Sequence, residues 1–133
     1  MTVIVSDAGF GPETWNTGFE GKTVLDLNSD TDPASLTGQT EGVEMIRIDF
    51  PSFADGRGFT LARQLRLMGY TGRLRAKGHV LADQYAMARR TGFDEVEISD
   101  ELAARQPQEQ WLARSHWGAH NYQARLRGSS AAS

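Results

Sequence analysis

Apolar and polar positions along this chain follow two different periods, and the switches between them mark its elements. Val3-Ile4-Val5 is a β-branched run ended by Ser6-Asp7-Ala8-Gly9, and it predicts a strand. Residues 9–22 hold four glycines and one proline and read as loop, with Trp15 and Phe19 available to cap a core. Thr23–Leu27 predicts a second strand. Asn28–Asp32 is a polar turn, and Asp32-Pro33 resembles a helix start that Gly38 soon ends. Val43–Phe50 predicts a third strand, closed by Pro51. Phe59, Ala62 and Leu65, with Leu61 and Met68, then recur at helical spacing, and Gly69 stops that helix. Arg73–Ala76 reads as a strand from its context. Val80–Arg90 predicts a second helix with Leu81, Tyr85 and Ala88 as its apolar stripe, ended by Gly92. Asp94–Ile98 alternates as a half-buried edge strand does. A further helix starts at Ser99-Asp100-Glu101, and Pro107 interrupts it or begins another. Trp111 and Leu112 are placed to dock on the core.

Strands alternating with helices from Phe50 to Ile98 predict an α/β fold with a β-α-β-α-β core. The expected sheet is small, mostly parallel and of about five strands, with helices on both faces. The right-handed crossover rule puts the two central helices on one face. The short helix after Pro33 and the C-terminal helices would cover the other. Residues 1–127 form one domain in this reading, and 128–133 a flexible tail. Both central helices are entered through glycine-containing loops. With parallel strands, those loops lie at the carboxyl edge of the sheet, where open α/β sheets bind ligands.

Composition narrows the function classes. The 133 residues are 39% hydrophobic and 23% charged, enough for one core without a metal or disulfide staple. The net charge of −3 argues against general nucleic-acid binding. There is no cysteine, which removes disulfides, thiolate metal sites and a cysteine nucleophile. Of the histidines, His116 and His120 stand i,i+4, but no third ligand is evident nearby, so neither a metal nor a cofactor is expected. There is no secretory signal and no apolar run of membrane-spanning length, so the expected location is the cytoplasm, away from membranes.

Two loops carry the candidate chemistry. In Asp55-Gly56-Arg57-Gly58 the glycines let the backbone turn and approach a ligand, the helix start offers free N–H groups, and Arg57 adds a bidentate donor for an oxyanion. The plainer reading is an Asp55–Arg57 turn that caps the helix. In Lys77-Gly78-His79, followed by Asp83 and Gln84, His79 is the natural acid–base group, and Asp83 at i+4 is placed to orient it. Asp55 is the competing base. Arg63, Arg66, Arg73 and Arg75 each read singly as a solvated face with the stems over apolar surface, but together with Arg57 they are dense for an acidic protein and suggest a docking patch for an acidic partner. Asp94, Glu95, Glu97, Asp100 and Glu101 read as a solvated strand edge. Trp117 to Tyr122 is expected to pack on the domain or on a second subunit, which makes a homodimer one expectation.

The stretch Phe50–Phe59, with Leu61-Ala62-Arg63, Gly72–Ala76, Gly78–Gln84 and Gly92-Phe93-Asp94, resembles a bacterial family, domain-of-unknown-function family nine hundred thirty-four. Its members are labelled oxidoreductases in sulfite reduction, a label that reflects gene neighbourhood with siroheme-type sulfite or nitrite reductases. Asp55, Gly56, Arg57, Gly58, Arg63, Arg75, Gly78, Asp83 and Gln84 match the family pattern. The family usually has Asp where this chain has His79 and often Cys where it has Thr91, so no family cysteine chemistry carries over. The resemblance implies a role in assimilatory sulfur metabolism. Three expectations stand: an accessory partner of a sulfite or nitrite reductase that handles a small oxyanion; a small enzyme, an oxidoreductase, acting on an anionic metabolite; or an interaction or structural module whose loops bind nothing small.

Overall fold

The computed structural model describes residues 2–15, 23–115 and 117. Its strands are β1 (Thr2–Ser6), β2 (Gly9–Gly11), β3 (Val24–Asn28), β4 (Met45–Phe50), β5 (Arg73–Gly78) and β6 (Glu95–Ser99). They form one sheet in the order β2-β1-β6-β5-β4-β3. The β3–β4, β4–β5 and β5–β6 pairs are parallel, whereas β1 lies antiparallel between β2 and β6. The sheet is therefore mostly parallel, as expected, but has six strands among the described residues. The additional one, β2, is Gly-Phe-Gly, too short and too poor in β-branched residues to announce itself.

Helix α1 (Arg57–Leu67) joins β4 to β5, and α2 (Tyr85–Thr91), preceded by a 3-10 turn at Ala82–Gln84, joins β5 to β6. A second 3-10 turn, Pro33–Leu36, stands where a short helix was expected, with Asp32 accepting from the Ala34 N–H. After β6, Pro107 divides the last helical stretch into α3 (Asp100–Arg105) and α4 (Gln108–Leu112).

Every helix among the described residues lies on the same face of the sheet. Ile46, Ile48 and Phe50 of β4, Leu74 and Ala76 of β5 and Val96 and Ile98 of β6 alternate onto that face. The Phe50 ring meets Phe59 of α1 at 4.9 Å and Phe93 at 5.9 Å between centroids. Trp111 of α4, 1% exposed, packs edge-on against Tyr85 of α2, and Leu36 and Leu102 join the same core. The expectation of helices on both faces is thus corrected: among the described residues the fold is one helical layer on one sheet.

The opposite face carries charge. In register across β3, β4, β5 and β6 stand Asp26, Arg47, Arg75 and Glu95, with Glu97 two residues on. Arg47 holds Asp26 through two hydrogen bonds of 2.6 and 2.8 Å and lies 3.5 Å from Glu97. Arg75 is fully buried and holds Glu95, Glu97 and, at 2.6–2.7 Å, both oxygens of Glu13. Arg73 bonds Glu95 and Thr14, and its guanidinium lies over Trp15. Residues 13–15 thereby strap across this face. The acidic stretch read as a solvated edge strand is instead the interior strand β6, with Glu95 and Glu97 buried against arginines. Opposite charges placed in register let a polar face be buried without an unpaired ion.

Two further side chains staple the ends of the sheet. Arg66 donates to the carbonyls of Tyr70, Gly72 and Gly92 and to Asp94. Asp7, in the β1–β2 turn, accepts from Tyr85, Arg89 and Trp117, and Arg89 stacks on the Trp117 ring at 4.6 Å. Burial opposes ionisation of Asp7, yet these donors hold its carboxyl below the ordinary value, while burial and Asp7 itself push the Tyr85 hydroxyl up.

Candidate functional site at the carboxyl edge of the sheet

The parallel strands β3 to β6 all end at one edge, and the two loops singled out in the sequence meet there. The β4–α1 loop, 51–56, runs between them. On one side Ser29, just after β3, donates to Asp55 at 2.7 Å. On the other, the Gln84 amide donates to the Phe53 carbonyl at 3.2 Å, and His79 reaches the Phe50 carbonyl with its backbone N–H (3.0 Å) and with Nδ1 (3.1 Å). A cleft opens on each flank of this pinned loop.

The first cleft, ≈ 350 Å³, lies between the turn after β3 and the start of α1, with Asp30, Asp32, Arg57 and Thr60 among its walls. Arg57 is well exposed, but its Nε–Nη2 edge and its backbone N–H are held by Asp55. The Asp55 carboxyl is consequently held far below the usual carboxylate range, first by the Arg57 side chain, then by Ser29 and the Arg57 N–H. A carboxylate so stabilised is a poor proton acceptor, which removes the reason for naming Asp55 as a base. With Arg57 neutralised and Asp30 and Asp32 in the wall, an oxyanion here meets more negative than positive charge. The Asp55–Arg57 turn that caps the helix is the arrangement found. Gly56 has φ −92°, and Gly58 is packed on Phe50, where an added Cβ would lie 2.4 Å from the ring. Gly58 thus serves the fold without any ligand, whereas neither the backbone angle nor the surroundings of Gly56 require a glycine.

The second cleft, ≈ 210 Å³, lies between the ends of β5 and β6 and is lined by Phe53, Gly78, His79, Ser99, Leu102 and the Glu101–Arg105 pair. Phe53, 37% exposed, meets the His79 ring edge-on at 5.0 Å. Gly78 has φ +110°, and a Cβ there would lie 2.8 Å from the Phe50 carbonyl, so only glycine brings His79 this close to β4. With Nδ1 facing that carbonyl, the neutral tautomer carries its proton on Nδ1 and leaves Nε2 as the acceptor. Asp83 does not orient this ring; it pairs with Arg114 at 2.6 Å. Gln84 closes its own turn, accepting from the Leu81 N–H while its amide pins the loop.

The remaining sequence candidates lie elsewhere. Arg75 cannot reach a ligand, being fully buried among three carboxylates. Arg66 and Arg73 are also committed internally, so the arginine cluster is an internal lattice rather than a docking patch. Arg63 stands apart on the exposed side of α1. His116, His120 and the tail 128–133 lie outside the described residues. Phe53, Glu101 and Arg105 were missed, because nothing in their local pattern signals that β5 and β6 end side by side. Among the described residues no cluster of three His, Asp or Glu suits a metal, and no helix is long and apolar enough to cross a membrane.

A family model described as bacterial protein of unknown function (DUF934) matches residues 24–132. The chain belongs to that family. The DUF934 match takes in β3 through α4 and both clefts, while β1, β2 and the strap residue Glu13 precede it. Comparison with curated proteins and with solved structures found no match.

Proposed function

We propose that this DUF934 protein is a non-catalytic accessory of a siroheme-type sulfite or nitrite reductase, docking through the Phe53–His79 cleft. The observation that carries the reading is the exposed Phe53 ring, fixed edge-on to His79 by the hydrogen bonds that pin loop 51–56. An aromatic side chain inside a polar rim, here Glu101 and Arg105, matches the general anatomy of protein interfaces. Asp55, first considered as a base, and Asp83, as the orienter of His79, are engaged with Arg57 and Arg114, which fits binding better than turnover. The sulfur-metabolism context comes from the family resemblance. The test is a titration of the purified protein against the sulfite reductase of the same cell. Saturable binding that Phe53→Ala weakens at least about tenfold, or ~1.4 kcal/mol, is expected, with Arg63→Glu near neutral. Absence of binding at micromolar concentration, or indifference to Phe53→Ala, overturns the reading.

One observation favours the enzymatic alternative: His79 Nε2 remains an acceptor at the rim of a cleft. Turnover of an anionic metabolite that is lost in His79→Gln would establish it.

A further inference from the structure

At the carboxyl end of the charged sheet face, one row of side chains is unspent. Asn28 of β3, Asp49 of β4 and Lys77 of β5 are aligned by register, Asn28 beside Asp49 and Asp49 beside Lys77. Together with Asp26, Leu27 and Arg47 they line a recess of ≈ 120 Å³. The recess has a neutral floor, the two-bond Asp26–Arg47 pair. Its walls differ from every other row of this face. Lys77 is half-buried, yet among the described residues no carboxylate comes within ion-pair distance of it. Glu97, its register neighbour on β6, is already held by Arg75 and Arg47. Asp49 is exposed and accepts no hydrogen bond from the described residues. Among the described residues the Asn28 side chain likewise makes no hydrogen bond, while its backbone carbonyl accepts from Thr31.

An ammonium, a carboxylate and a carboxamide are thus presented side by side on three rigid strands. A ligand with one charge satisfies one wall and leaves the other facing a like charge. A ligand carrying both charges a few bonds apart satisfies both. The recess is well below the roughly 300–1,000 Å³ of drug-sized pockets, which confines the ligand to a handful of non-hydrogen atoms. We infer that this recess binds a small zwitterion of the α-amino acid class. The ligand carboxylate bonds Lys77, and its ammonium bonds Asp49 and the Asn28 amide oxygen. The inference stands apart from the docking cleft, which lies beyond the other end of this row, between β5 and β6.

The experiment is a titration of isotopically labelled full-chain protein with L-alanine, acetate and methylammonium, read through backbone amide resonances. L-Alanine is expected to give saturable shifts at residues 28, 49 and 77 at about millimolar concentration, the weak limit for a contact of a few polar groups. Acetate and methylammonium should each bind at least about tenfold more weakly, because each leaves a charged wall unpaired. Lys77→Met and Asp49→Asn should each weaken L-alanine binding to a similar extent while Phe53→Ala does not. Shifts that fail to saturate, acetate binding as well as L-alanine, or undiminished binding by either folded variant overturns the assignment. The comparison of the three probes on the unaltered protein decides the matter even if a variant does not fold.

Discussion

Replacing Arg75 by methionine removes the guanidinium at the centre of the charged sheet face while keeping an unbranched chain of similar reach. The side chain is 0% exposed and holds Glu95, Glu97 and Glu13. Breaking a buried ion pair from one side typically costs about 3–5 kcal/mol. Here the loss falls at the lower end, because Glu95 keeps Arg73 at 2.7 Å and Glu97 keeps Arg47 at 3.5 Å. Glu13 is partly solvated and recovers water. The expected destabilisation is ~3 kcal/mol, which for a domain of this size lowers the melting midpoint by roughly 10 °C. The difference also has a pH signature. The Arg75 hydrogen bond is the largest cause holding the Glu13 carboxyl below its ordinary value of 4.5. A depressed folded-state value contributes stability that is present above the unfolded value and lost as pH falls through the folded one. The gap between native protein and Arg75→Met should therefore be full at neutral pH and narrow once pH drops below about 4.5. Urea unfolding followed by circular dichroism at several pH values measures both. A loss under ~1 kcal/mol at neutral pH would refute the claim that this lattice carries the polar face.

Two other substitutions test the packing. Arg66→Ala should cost about 2 kcal/mol, since three carbonyls lose a charged donor, and Arg66→Lys should not restore it, because an ammonium cannot span them; the urea midpoint should fall at unchanged slope. Gly58→Ala should destabilise by ~1–3 kcal/mol despite alanine's better helix propensity, because the new Cβ would lie 2.4 Å from the Phe50 ring. A raised melting temperature for that variant would show that the ring yields and that Gly58 is there for another reason.

The parallel half of the fold was legible because its two periods differ so plainly. Phe59, Ala62 and Leu65 can only line a helix, and Ile46, Ile48 and Phe50 only one face of a strand. The place of β6 in the sheet was misread because alternating charge was taken for solvation. The signal that would have corrected it was present: Arg73-Leu-Arg75 on one strand and Glu95-Val-Glu97 on the next carry opposite signs at period two. Solvated faces have no need of such matching; a covered face does. The strap at Glu13 had no local signature, since its reason for being is a partner in β5. The two glycine loops were found in sequence, but their chemistry was not. Whether Arg57 faces a ligand or its own Asp55 depends on side-chain geometry that spacing alone leaves open.

The position of β1 also bears on how this chain folds. Four parallel strands, β3 to β6, follow one another in space in the order of their synthesis, each joined to the next by a short local crossover. Ile4, by contrast, pairs with Glu97, some ninety residues later in the chain. Closing so long a loop is slow compared with docking neighbouring strands. The β1–β2 hairpin must therefore wait as a free, apolar ribbon until β6 is complete. From then until β1 docks, β6 is itself an open edge, competent to recruit Val3 and Val5 from another molecule. Strand exchange at this seam is the misassembly to which the topology is most exposed, and refolding at high protein concentration is where it would first be seen.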